Sequence, residues 1–145
     1  MTSQTKRFNL LILVIFFIIG LLLRYEALDG GVINSWVKRD FDRAFNLVDG
    51  NYIPLAGPEM SNSGRLPGPF LYFLQAVPLL FHYSYEAIFN FNFLLNIGSF
   101  VGLFFVVKKF FGRRVAILFF ALLSISLPHI GAVAFPINPS FLYPL

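Results

Sequence analysis

The chain has 145 residues, of which 57% are hydrophobic and 12% are charged, and its formal net charge is +4. Soluble domains carry about 25% charged residues, and one domain of this length cannot keep so much apolar surface in water. The composition therefore excludes a soluble enzyme, a disordered tail and a nucleic-acid-binding module. The chain has no cysteine, which excludes a disulfide framework, a thiolate nucleophile and cysteine-ligated zinc. The sequence is that of a membrane protein.

The charges are divided along the chain, and this division predicts a topology. Residues 26–86 hold every acidic residue and have a net charge of −3, whereas all bases outside this stretch lie before it or after residue 107. Short loops rich in lysine and arginine stay cytoplasmic. We therefore expect a multi-pass protein of the plasma (inner) membrane with a cytoplasmic N-terminus and residues 26–86 outside. The seven acidic residues are Glu26, Asp29, Asp40, Asp42, Asp49, Glu59 and Glu86.

The first predicted element is a membrane span over residues 8–28. Phe8 to Leu23 contains no charge, and Arg24 follows at its outer end, where its side chain can extend towards the interface. A cleaved signal peptide is the alternative interpretation. No small-residue cleavage site follows the apolar run, which favours an uncleaved span.

An amphipathic helix is predicted over 36–49, with Asn34 or Ser35 capping its start and Gly50 at its end. One face is apolar and the other is charged. Such a helix lies in the membrane interface or packs on other protein, and the pattern alone does not decide between them. Its apolar positions are Val37, Phe41, Ala44, Phe45 and Val48.

The rest of the chain predicts a short helix and two further spans. A Gly/Pro-rich loop precedes residues 69–81, which are too short to cross and are expected to form an interfacial or re-entrant helix. Residues 87–107 form span 2, 108–114 a basic cytoplasmic turn, 115–134 span 3, and 135–145 the start of a further segment. The predicted fold class is an all-α integral membrane protein with about three transmembrane helices and a large first extracytoplasmic loop.

The predicted amphipathic helix also carries the candidate chemistry. Asp40 lies at the border of the apolar stripe, where partial burial would tune it as a general base, and Asp42 lies on the polar side, four residues from Lys38. Arg39 and Arg43 are four residues apart and could hold a phosphate between their guanidinium groups. The alternative is a surface helix of mixed charge.

Other candidate residues lie outside this helix. In the Gly/Pro-rich loop, Glu59 and Arg65 could contact a polar ligand, or the loop could be only a rigid turn. His82 and His129 are far apart and have no neighbouring carboxylate pattern, so no metal site is predicted. No cofactor is predicted either, and dependence on a divalent metal stays open.

The order of short motifs resembles the N-terminal part of membrane glycosyltransferases of the GT-C fold. The similarity is to the family 39 group, which includes protein mannosyltransferases and lipid A aminoarabinose transferases. The motifs are Leu23-Arg24, Arg39-Asp40, Ala44 with Gly50, Gly57-Pro58, Gly68-Pro69-Phe70-Leu71-Tyr72, Phe111-Gly112-Arg113-Arg114 and Asn138-Pro139-Ser140. Their order and spacing carry the resemblance, which covers nearly the whole chain.

The resemblance implies the N-terminal part of a GT-C bundle and transfer of a sugar from a polyprenyl-phosphate donor at the outer face of the bilayer. Asp40 would be the catalytic aspartate, with Asp42 as the alternative because Asp-Phe-Asp replaces the family's usual Asp-Glu or Asp-Gln pair. Arg39, Arg43 or Arg65 would stabilise the phosphate. Members of the family are several times longer and contain more spans.

Two other function classes remain open. A small non-catalytic membrane subunit for binding or assembly agrees with the length of the chain. A transporter fragment would need polar groups inside the spans, and Asn92 and Asn96, four residues apart, are the candidates.

Overall fold

The computed structural model of the chain describes residues 3–58 and 68–134. Within these ranges every regular element is an α-helix, in agreement with the predicted all-α class. The helices are α1 (Ser3–Asp29), α2 (Ser35–Val48), α3 (Phe70–Leu79), α4 (Tyr85–Phe111), α5 (Arg113–Ser124) and α6 (Leu127–Ala134).

In the part of the chain that the structure describes, two helices are long and apolar enough to cross a membrane: the Phe8–Asp29 part of α1, and α4. With 27 residues, α4 is about 40 Å long at 1.5 Å per residue, which exceeds the roughly 30 Å hydrocarbon core. The two helices meet through stacked rings, Phe17 on Phe100, and Phe100 stacks in turn on Phe120 of α5. Spans 1 and 2 of the prediction are therefore confirmed as helices of spanning length.

The predicted basic turn at 108–114 is too wide. Lys108 and Lys109 continue α4, and Gly112 alone separates α4 from α5. Gly112 has φ +85 and ψ 169, a conformation that is accessible almost only to glycine. One residue with this geometry is enough to reverse the chain.

The predicted third span over 115–134 is not one continuous helix. It consists of α5 and α6, which meet at a bend of 51°, so residues 3–58 and 68–134 contain up to three spans if this pair counts as one. Pro128 explains the break, because it has no N–H to donate to the carbonyl oxygen of Ser124 four residues earlier. The next helical hydrogen bond runs from Ile130 N to Ser126 O at 2.9 Å.

The amphipathic helix α2 begins and ends much as predicted. The side chain of Asn34 accepts hydrogen bonds from Trp36 N and Val37 N, and Gly50 follows the helix with φ +72. The apolar stripe packs on protein, which is the second of the two interpretations above. Its core cluster contains Val37, Phe41 and Ala44 of α2, Leu79 of α3 and Ile88 of α4.

The short helix α3 has 10 residues, two fewer than the apolar run from Phe70 to Phe81. Pro78 lies in its last turn, and the chain leaves the helix through a hydrogen bond from His82 N to Pro78 O. This helix packs beside α2 and buries Tyr72 and Gln75 completely. It is too short to cross a bilayer, in agreement with the prediction.

Candidate functional site

The predicted catalytic residue Asp40 lies at the contact between α2 and α3. Its side chain is 2% exposed, which confirms the predicted burial at the border of the stripe. Arg39 donates from Nε and Nη2 to Asp40 Oδ1 at 2.9 and 2.7 Å. A buried carboxylate needs such charged hydrogen bonds to remain ionised.

Arg43 contacts a residue that the sequence analysis did not select. Its Nη1 donates to the hydroxyl oxygen of Tyr72 at 3.0 Å, and its guanidinium carbon lies 5.5 Å from the centre of the Tyr72 ring. Burial and, to a smaller extent, the negative charge of Asp40 raise the pKa of Tyr72, which keeps the phenol protonated. In the sequence, Tyr72 could have been selected because its polar hydroxyl group lies three residues before Gln75 on an otherwise apolar helix.

Asp42 occupies a different environment from Asp40. It is 43% exposed, accepts a hydrogen bond from Lys38 Nζ at 2.9 Å, and accepts another from the Tyr85 hydroxyl at 3.1 Å. The hydrogen bond to Asp42 raises the pKa of Lys38. The predicted Lys38–Asp42 pair is confirmed, and the structure gives the two aspartates different neighbours, α3 for Asp40 and the start of α4 for Asp42.

Each of the two arginines of α2 binds a protein side chain. Arg39 binds Asp40 and lies 4.8 Å from the Trp36 ring centre, whereas Arg43 binds Tyr72. The other two predicted ligand-contacting residues, Glu59 and Arg65, lie outside the described residues. In residues 3–58 and 68–134 no group of three His, Asp or Glu side chains could hold a metal ion.

A second polar centre lies inside the helix bundle, around Arg24. This side chain is completely buried, so the sequence-based expectation that it extends to the interface is wrong. Its five N–H donors meet acceptors from α1, α4, α5 and α6. The guanidinium carbon also lies 4.4 Å above the Phe100 ring. A charge at this depth is tolerated because every donor is used.

The acceptors of Arg24 show how this centre joins the helices. Arg24 Nε donates to Asn96 Oδ1 at 2.8 Å, and Nη1 donates to Gly20 O and Ser124 O at 2.9 and 3.3 Å. The Nη2 group donates to Leu123 O at 3.2 Å and is 2.9 Å from His129 Nδ1. Ser124 O is the carbonyl that Pro128 leaves without its helical donor. The guanidinium group therefore satisfies the end of α5 where the span breaks.

Gly20 makes room for this arrangement. A Cβ at this position would lie 3.0 Å from Phe100 Cζ and 3.2 Å from Arg24 Nη1. The missing side chain thus lets the arginine fold back along its own helix towards the carbonyl of Gly20.

Asn92 and Asn96 of α4 share one buried face. Asn92 Nδ2 donates to Ala132 O and Val133 O at 2.9 and 3.3 Å, and Asn96 Nδ2 donates to His129 O at 3.1 Å. These amides bind the backbone of α6, so they act as interhelical hydrogen-bond donors.

The comparisons of this chain with protein-family models, curated proteins and solved structures find no match.

Proposed function

We propose that this chain is a membrane glycosyltransferase, or the N-terminal part of one, that transfers a sugar from a polyprenyl-phosphate donor to an acceptor at the outer face of the plasma membrane. The observation that carries the proposal is the buried Asp40 carboxylate, held by Arg39 beside the Arg43–Tyr72 pair. The proposed topology rests on the basic residues before residue 8 and at 108–114, which favour the cytoplasm, and on the acidic stretch 26–86 between them.

In the proposed reaction, Asp40 accepts the proton of an acceptor hydroxyl group. The acceptor oxygen forms a bond to the anomeric carbon of the sugar while the bond from that carbon to the phosphate oxygen breaks. The electron pair leaves with the polyprenyl phosphate, whose negative charge Arg43 stabilises. Arg39 positions the carboxylate, and Tyr72 positions Arg43.

A transfer assay on the full-length gene product tests the assignment of Asp40. The substitution Asp40→Asn keeps the shape of the side chain and removes the base. We therefore expect the transfer rate to fall by about 100-fold or more. Asp42→Asn is the matched control, because an exposed ion pair contributes little and its loss should change the rate by less than about fivefold. Full activity in both variants would refute the catalytic proposal.

The second candidate function is a non-catalytic membrane subunit for binding or assembly. The observation in its favour is that Arg39 and Arg43 already have protein partners, which is how structural charges are satisfied. Under this hypothesis Asp40→Asn weakens retention of the chain in an isolated complex and leaves transfer unchanged. Co-purification from solubilised membranes, measured beside the transfer assay, separates the two functions.

A further inference from the structure

A groove lies at the contact of α2 with the segment that leads into α4, where α2 presents Asp42 rather than Asp40. Its volume is about 550 Å³, within the range of small-molecule sites. The groove is open, and neither the proposed catalysis nor the phosphate contacts use it as a binding site. Its lining residues are Asp42, Phe45, Asn46, Tyr83, Ser84 and Tyr85.

The aromatic residues of the groove form a prearranged wall. Phe45 contacts Tyr83 edge-to-face at 4.7 Å and Tyr85 at 5.1 Å between ring centres. The Tyr85 hydroxyl is held by Asp42, and the Tyr83 hydroxyl donates to Asp49, whose two carboxylate oxygens both lie 2.8 Å away. Because both hydroxyl groups are anchored, the rings keep their orientation when a ligand arrives.

The polar groups around this wall supply both donors and acceptors. The carboxylates of Asp42 and Asp49 accept, and the exposed carboxamide of Asn46 does both. A hydroxyl group also donates and accepts, and the C–H face of a sugar ring packs on aromatic carbon. The two carboxylates disfavour an anion at the same place.

From these observations we propose that this groove is a binding site for a neutral carbohydrate. The ring lies against Phe45 and Tyr83, and its hydroxyl groups bond to Asn46 and Asp42. Carbohydrate binding in the groove does not depend on transferase activity. The groove lies where α2 meets the segment that leads into α4, whereas Asp40 lies where α2 meets α3. Binding and transfer can therefore fail separately.

Saturation-transfer NMR on the purified full chain in nanodiscs tests the proposal with methyl glycosides of glucose, galactose and mannose as probes. We expect saturable binding of at least one glycoside with a Kd in the range of about 1–10 mM, typical of a single open site. Tetramethylammonium, tested in parallel, identifies a cation-binding groove. Binding of tetramethylammonium alone, or of no probe, overturns the proposal.

Two variants locate the binding. Asn46→Ala removes an exposed carboxamide and should weaken glycoside binding about fivefold, the effect of one hydrogen bond. Asn90→Ala, at an exposed position of α4 outside the groove lining, is the matched control and should leave the Kd unchanged. Equal affinities of the two variants would place the glycoside elsewhere and overturn the proposal, whereas Asp40→Asn should abolish transfer and retain binding.

Discussion

The buried guanidinium of Arg24 allows a quantitative test of how the broken span is held. Arg24→Met keeps an unbranched but shorter side chain and removes all five hydrogen-bond donors. Leu123 O and Gly20 O have helical alternatives, since Ser126 N also donates to Leu123 O and Gly20 O lies one turn before Arg24 in α1. Three acceptors then lose a donor: Ser124 O, Asn96 Oδ1 and His129 Nδ1.

A buried acceptor that loses its donor costs about 1–3 kcal/mol, and relief of the buried charge offsets part of this loss. We therefore expect Arg24→Met to lower the free energy of unfolding by about 3 kcal/mol. Arg24→Lys keeps the charge and has three donors without the planar fork, so we expect roughly half of that loss. Unfolding in mixed micelles by added denaturing detergent measures both values.

The matched control is Leu22→Met, a substitution on the same helix at a side chain that is 61% exposed. It should change the free energy of unfolding by less than about 0.5 kcal/mol. If Arg24→Met proved as stable as Leu22→Met, the argument that Arg24 satisfies the broken end of α5 would be refuted.

Two further predictions concern the turn and the aromatic wall. Gly112→Ala forces an alanine into φ +85 and should destabilise the chain by about 1–3 kcal/mol. Gly98→Ala, at a helical glycine with open space around it, should stabilise the chain slightly. Thermal unfolding of both variants checks this, and equal changes in the unfolding temperature would contradict it. The hydrogen bond to Asp49 raises the pKa of Tyr83, so the stability that this bond contributes persists below pH 10 and is lost as the pH rises through the raised value. In an ultraviolet titration, Asp49→Asn should therefore lower the pH at which one tyrosine ionises, and an unchanged curve would exclude the Asp49 contact.

Local patterns in the sequence were sufficient for most of the helices. The apolar runs before Arg24 and before Lys108 predicted helices of spanning length, and the cap at Asn34 and the glycine after α2 marked the ends of the amphipathic helix. These signals depend on residues within one or two turns of each other, so they can be seen without any partner. The Lys38–Asp42 pair was predictable for the same reason, since its members are four residues apart on one helix.

The candidate site was predicted only in part. The position of Asp40 at the stripe border indicated burial, but the partner face of α3 with Tyr72 comes from a segment about 30 residues later in the chain. The helical wheel of α2 placed Arg39 and Arg43 at a spacing that suits an anion, and the structure adds their protein partners, Asp40 for Arg39 and Tyr72 for Arg43. Intrahelical spacing shows which side chains are neighbours, whereas the partner of each depends on the element that packs against it.

The sequence by itself determined that the chain belongs in a membrane, that its first two apolar runs form helices of spanning length, and which face of α2 is apolar. Only the tertiary structure decided that Arg24 is buried, that a bend separates α5 from α6, and that Asp40 and Asp42 have different neighbours. The physical reason is distance along the chain: Arg24 is 99 to 105 residues from its partners in α5 and α6. A buried charge becomes tolerable only when such distant acceptors converge on it, and no local pattern encodes that convergence.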